Sequence, residues 1–347
     1  MATAWFVLIS AMLATYVVLD GFDFGAGILH LLVAKTDEER RTVLAAIGPV
    51  WDGNEVWLVA SGGILVYAFP RAYSAGLSGF YMPLMMVLWL LMLRGISIEF
   101  RSHQENPLWR SFWDATFALS SVLLAIVFGA ALGNVIRGVP IEASGFFSGP
   151  LFTNFLPGPH PGVLDWYTVL VGVFTLLVLG GHGALYLVYK TAGTVRDRTR
   201  AWASGLWSVA LVVAIPTTAA TAAIRPELYR NLLARPWTWA LAAAVAASIA
   251  GLWIAHMRKR ELAAFLCSAA FLVSILGATA AGLYPDLLTS TLDPAYSLDI
   301  ANAQAGGIGL RVGFYWWSVA VLLAIGYFTY LFRSFRGKVS PQTHGHY

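Results

Sequence analysis

Nine apolar runs, each long enough or nearly so to cross a lipid bilayer as a helix, dominate this chain. Backbone amides in lipid find no water, so a crossing segment must pair them internally, which takes about 20 mostly apolar residues in a helix. The runs fall at 3–33, 54–70, 76–100, 113–136, 163–189, 203–223, 237–256, 262–283 and 312–332 of the 347 residues. Between them lie short charged connectors (35–41, 101–110, 190–200, 258–260) and two longer polar loops, 137–162 and 284–310. Only 12% of residues are Asp, Glu, Lys or Arg, about half the ~25% of soluble proteins. That is too little charge to coat a water-facing surface. The basic residues sit in small clusters rather than on one face, which argues against nucleic-acid binding. The expectation is an all-α polytopic membrane protein.

The stretch Met1 to Val18 lacks a basic leader and runs on into more membrane-type sequence, so it reads as the start of a span rather than a signal peptide. The single cysteine, Cys267, excludes an internal disulfide framework and any zinc or iron–sulfur site built on cysteines. Nine spans place the loops after spans one, three, five and seven on the side of the C-terminus. Fifteen of the 22 basic residues lie there, six lie on the other side, and Arg94 is left inside a span. By the positive-inside rule the C-terminus is cytoplasmic and the N-terminus outside.

A faint internal repeat links LDGFDFGAGILHLLVAKTDEERR with LGGHGALYLVYKTAGTVRDRTR: a Gly-rich stretch, an apolar turn, Lys-Thr and a mixed-charge loop. Four spans separate the two. The expected organisation is therefore two four-helix bundles, within 1–140 and 163–283, followed by 284–347 with a loop, a ninth, peripheral helix and a tail.

Charge inside a bilayer costs about 2.5 kcal/mol or more per residue, so embedded ionisable groups are candidates for function. Asp20, Asp23, Asp52, Glu55, Glu99 and Asp114 all fall in or beside the first four spans, as does Arg94, while spans six to nine hold no carboxylate. Asp20 and Asp23 share a helix face at i and i+3, and Gly21, Gly25 and Gly27 would let another backbone approach them. In GPVWDGNEVW, Gly48 and Pro49 interrupt any helix before Asp52. Asp52 is then either a helix N-cap or a proton-handling acid at a water-accessible helix entrance. In RGISIEFR, Glu99 points away from Arg94, so it is expected to pair across helices. Arg101 is either an electrostatic partner or a side chain reaching the headgroups, and Asp114 reads as a cap. Of seven histidines only His30 and His182 lie well inside spans, and a lone membrane histidine more often bonds a neighbouring helix than a haem.

The segments LDGFDFGAG, GPVWDGNEVW, YAFPRAYSAGLSGFY, RGISIEFR, SFWDATF and GNVIRGVP resemble subunit II of the cytochrome bd-type quinol oxidases. The resemblance is densest over residues 16–140 and fainter beyond. It implies a complex in a bacterial or archaeal cell membrane that oxidises membrane quinol and reduces oxygen to water. Two haem b groups and one haem d would reside in a homologous subunit I, with none held by this chain. Matched by position, Asp52 would start a proton path from the cytoplasm, with Asp23, Asp20 and Glu99 as further proton-path candidates. Arg94 and Arg101 would serve electrostatically or structurally, and Trp57 would stand at an oxygen route. Glu55 stands where some relatives carry Gln, so the resemblance assigns it no proton role. Whether a small single-helix subunit joins, and whether lipid or quinone is held here, stays open. The competing classes are a proton-coupled secondary transporter, which would need polar sites in both halves, and a chemically inert anchor.

Overall fold

The computed structural model describes residues 1–339; His344 and His346 lie outside them. The described residues form twelve α-helices: α1 Ala2–Val33, α2 Asp37–Ile47, α3 Trp51–Ala68, α4 Pro70–Gly79, α5 Tyr81–Phe100, α6 Pro107–Arg137, α7 Trp166–Lys190, α8 Gly193–Ile224, α9 Pro226–Ala234, α10 Thr238–Met257, α11 Glu261–Leu283 and α12 Gly307–Ser334. A two-stranded antiparallel ribbon, β1 Asp286–Leu288 with β2 Leu298–Asp299, lies in the loop before α12.

Among the described residues, eight helices are long and apolar enough to cross a membrane: α1, α5, α6, α7, α8, α10, α11 and α12. The protein is a multi-pass, mostly helical membrane protein, as its hydropathy requires. The second expected span corresponds to α3, which has 18 residues and carries two acids and an asparagine near its start, so it falls short of the other eight. The third expected run is divided, because α4 stops at Gly79 and α5 begins at Tyr81. A short helix, α2, starts with a capping box: the Thr36 hydroxyl accepts from the Glu39 amide while the Glu39 carboxylate accepts from the Thr36 amide, which satisfies two otherwise unpaired donors.

Helix α1 packs against α3, α6, α7 and α11. Its closest approach is to α7, where Gly25 lies against Gly183. A Cβ on Gly25 would collide with the Leu179 carbonyl and the Gly183 Cα, and one on Gly183 with the Gly25 backbone. Hydrogen side chains allow this contact, which lipid-embedded helices use to gain packing where no hydrophobic force drives association. The expected role of the α1 glycines holds at Gly25, and Gly27 likewise accepts Ser121 of α6. Around the crossing, Phe22 stacks on Tyr186 at 3.9 Å between centroids and His182 on Phe265 at 5.0 Å.

The far end of α6 is held by Arg137. Its guanidinium donates to the Gly138 and Gly162 carbonyls at 3.2 Å, to Asn134 Oδ1 at 2.6 Å and to the Asp165 carboxylate. Asp165 also caps α7 through the Thr168 amide at 2.8 Å, so one buried pair ties the end of α6 to the start of α7. Gly138, at φ +100, makes the turn that begins the long loop. Helix α12 is the outermost, largely exposed along its length, and lies on α3 through Phe328 against Trp57.

Candidate functional site

Buried charge gathers into two clusters, both on the first helices. In the first, Arg94 of α5 projects to α1 and α3. Its Nη1 donates to Asp20 Oδ1 at 2.6 Å and its Nη2 to Glu55 Oε2 at 3.1 Å. The guanidinium also sits 4.4 Å over the Phe24 ring, a cation–π contact strengthened by the absence of water. Asp20 and Arg94 are fully buried, whereas the Glu55 side chain is 23% exposed. One turn along α1, Asp23 accepts at Oδ2 from Asn54 Nδ2 at 2.8 Å, and the same amide donates to the Leu19 carbonyl at 3.2 Å. Asp20 Oδ2, Asp23 Oδ1 and Arg94 Nε are buried with no hydrogen-bond partner within the chain. Three carboxylates thus gather around one guanidinium, Asp20 and Asp23 sealed and Glu55 partly open.

The second cluster centres on Asp114. Its carboxylate accepts from Arg101 Nε at 2.5 Å and Nη2 at 3.2 Å, from Arg40 at 3.0 Å and lies 2.6 Å from His30 Nε2. Arg101 continues to Asp37 at 2.7 Å, which also holds Arg110 and Arg41 at 3.0 Å. Burial would raise the Asp37 carboxyl, but the hydrogen bond from Arg101 and the charges of Arg101, Arg41 and Arg110 hold it below its ordinary value. Glu39 is burdened by burial too, yet hydrogen bonds from Arg198, the Lys35 and Thr36 amides and Thr194 hold it at about 2. This network joins the ends of α1, α5 and α8 to α2 and the start of α6.

The site residues read from the sequence fall into two groups. Asp20, Asp23, Arg94 and Arg101 are buried in the clusters. Asp52 and Glu99 are exposed on the outer faces of α3 and α5. Asp52 is not a cap: Val50 holds that position and Asp52 lies in the first helical turn. Glu99 forms no ion pair among the described residues, so the expected cross-helix pairing within this chain does not occur; the last turn of α5 turns it outward. Arg101 is an ion-pair partner and not a snorkelling side chain. Asp114 is not a cap either, because α6 begins seven residues earlier at Pro107. Trp57 is half-buried between α3 and α12. Glu55, Asn54, His30 and Asp114 complete the clusters; none of the four was among the proton-path or electrostatic candidates read from the sequence.

The two histidines inside the spans both bond neighbouring groups, and His30 Nδ1 is the one ring nitrogen of the pair without a hydrogen-bond partner among the described residues. His182 uses both ring nitrogens, Nδ1 with Ser268 Oγ at 2.7 Å and Nε2 with the Val18 carbonyl at 2.9 Å. His30 is committed to Asp114 and packed edge-on against Phe117.

The fold and the site define a multi-pass helical membrane protein whose buried ion pairs are concentrated within its first helices. More narrowly, the chain belongs to the family described as cytochrome bd terminal oxidase subunit II, whose profile matches residues 1–335. It is 31% identical to cytochrome bd ubiquinol oxidase subunit 2 of Bacillus subtilis strain 168, over 97% of this chain and 96% of that protein. It is 36% identical to cytochrome bd-I ubiquinol oxidase subunit 2 of Escherichia coli K12 over 208 residues, 60% of this chain and 54% of that one. The fold is similar to that of a chain in the structure of bd oxidase from Geobacillus thermodenitrificans, with a TM-score of 0.70, 21% identity and coverage of 96% of this chain and 98% of the other. The protein is therefore a subunit of an oxidoreductase complex, a quinol oxidase, and the secondary-transporter reading gives way.

Proposed function

We propose that this chain supports a homologous, haem-bearing subunit I and conducts protons to it from the cytoplasm, beginning at Asp52. In this reading the partner holds two haem b and one haem d, oxidises membrane quinol and reduces oxygen to water. The side bearing α2 and the C-terminus faces the cytoplasm, in line with fifteen basic residues on it against six on the other. The observation that carries the reading is a gradient of exposure along the acids of α3 and α1. Asp52 is open on the outer face of α3, Glu55 is partly covered, and Asp20 and Asp23 are sealed.

Asp52 lies in the first turn of α3 and is open to solvent, so water on the cytoplasmic side can reach it and a neighbouring carboxylate can take its proton. In this reading Trp57, whose ring rests against Phe328 of α12 at 5.8 Å between centroids, would stand beside an apolar route for oxygen.

Replacing Asp52 by Asn tests the proton role. The purified complex should keep its haem d absorption and lose about tenfold or more in oxygen-reduction rate, the scale of one removed proton-transfer group. Native turnover with intact haems would sink the assignment. For Trp57, replacement by Ala and by a bulkier iodinated or naphthyl analogue should move the apparent oxygen KM in opposite directions. An unchanged KM in both defeats the oxygen path.

A further inference from the structure

Glu55 is the one member of the Arg94 cluster that reaches the outer surface of α3, and its geometry suits a task not yet given to it. We propose that Glu55 relays protons between Asp52 and the buried Asp20–Arg94 pair, an extension that rests on proton entry at Asp52. Asp52 and Glu55 are spaced i and i+3 on α3, hence on one face and about 5–6 Å apart at their Cβ atoms, within reach of one bridging water. Exposure falls from Asp52 to the 23% of Glu55 to the 0% of Asp20.

The two bonds to Arg94 are unequal. Arg94 holds Asp20 at 2.6 Å and Glu55 at 3.1 Å, so Glu55 is the partner that can let go. A proton leaves the Asp52 carboxylic acid and forms an O–H bond on the Glu55 carboxylate; Asp52 becomes a carboxylate and takes its next proton from cytoplasmic water. No electrons move. Neutral Glu55 gives up its ion pair while Arg94 Nη1 stays on Asp20, so no buried charge is stranded. Beyond it lie the carboxylates of Asp20 and Asp23, whose Oδ2 and Oδ1 are buried and make no hydrogen bond of ordinary geometry among the described residues, so either can receive the proton. Groups facing Glu55 are Asp52 on its own helix, Tyr16, Asp20 and Asp23 on α1 and Arg94 on α5.

The test is Glu55→Gln in the assembled complex, beside Asp52→Asn and the double variant. The glutamine carbonyl still accepts from Arg94, so a purely structural role is preserved. The expected result is an intact haem d band, an unchanged quinol KM, kcat lowered about tenfold and an enlarged solvent deuterium isotope effect on kcat. The double variant should be no slower than the slower single one, as for two steps in series. Native kcat in Glu55→Gln with a slow Asp52→Asn overturns the relay and spares Asp52 as the entry point. Native kcat in Asp52→Asn removes the entry point and the relay with it. Loss of the haem d band in Glu55→Gln assigns the residue to assembly and also overturns the proposal.

Discussion

The helices of the first half and those of the second solve the same problem, polar groups in lipid, in different ways. In α8, α10 and α11 the buried polar side chains are serines and threonines, most of which donate along their own helix. Thr217 donates to the Val213 carbonyl, Thr221 to Thr217 and Ser274 to Ala270, each four residues back, while Ser268 and Thr221 also meet His182 and Tyr167 of α7. In α1, α3, α5 and α6 buried serines do the same, but here buried ions also reach across helices: Asp20 to Arg94, Asp114 to Arg101, Arg40 and His30. Self-satisfied hydroxyls need no particular neighbour. A cross-helix ion pair fixes its neighbours, and it is costly unless complete. The cross-helix ionic sites lie in the half that carries Asp52, which is where the proposed proton route begins.

Breaking an ion in the first half should have the largest effect. Arg94→Met leaves Asp20 and Glu55 without a counter-charge and should destabilise the subunit by about 3–5 kcal/mol, the cost of stranding a buried partner. Its readout is loss of assembled, haem-containing complex from the membrane. Assembly at the native level would show that the cluster contributes nothing to the packing of α1, α3 and α5. Ser274→Ala in α11 sharpens the contrast from the other side. It removes a hydrogen bond and its donor together, so the melting temperature of the complex should correspond to a change below about 1 kcal/mol. A loss as large as that of Arg94→Met would erase the distinction between halves.

The smallest effect concerns the rim of the ionic half. The folded state holds the Glu39 carboxyl at about 2, below its ordinary value near 4.5. Folding therefore favours the ionised form, so the contribution is complete above about pH 4.5 and is lost as pH falls toward 2. Thermal stability of the native complex should decline across that window more steeply than in Glu39→Gln, where the acid is gone. Parallel declines would show that the Arg198 and Thr194 contacts do not matter in solution.

Much of this arrangement is legible in the residues. Long apolar runs become long helices because lipid permits little else, and Asp20 and Asp23 share a buried face because i and i+3 do so in any helix. What the sequence hides follows from packing and from helix starts. Arg94 could be seen to need a partner, but its choice of Asp20 and Glu55 depends on how α5 crosses α1 and α3. Asp114 looks like a cap if a helix begins beside Trp113. The helix begins at Pro107, with Asn106 accepting from the Leu108 amide at 2.8 Å, an Asn-Pro start signal that was there to be used. That shift of two turns carries Asp114 into the bilayer edge, where it gathers Arg101, Arg40 and His30. Similarly, Val50 rather than Asp52 precedes α3 because the break at Gly48 and Pro49 ends two residues earlier. Glu99 is the reverse case: a helical wheel turns it away from Arg94, and the tertiary structure gives it no ion-pair partner among the described residues.

The most direct test of the account follows protons. The fully reduced complex, native or carrying Asp52→Asn, would be mixed rapidly with oxygen, and proton uptake would be followed with a pH dye beside the haem d signal. The account predicts oxygen binding at the native rate in both and proton uptake slowed at least about tenfold in Asp52→Asn. Uptake at the native rate in that variant would contradict the claim that the ionic half of this chain conducts protons.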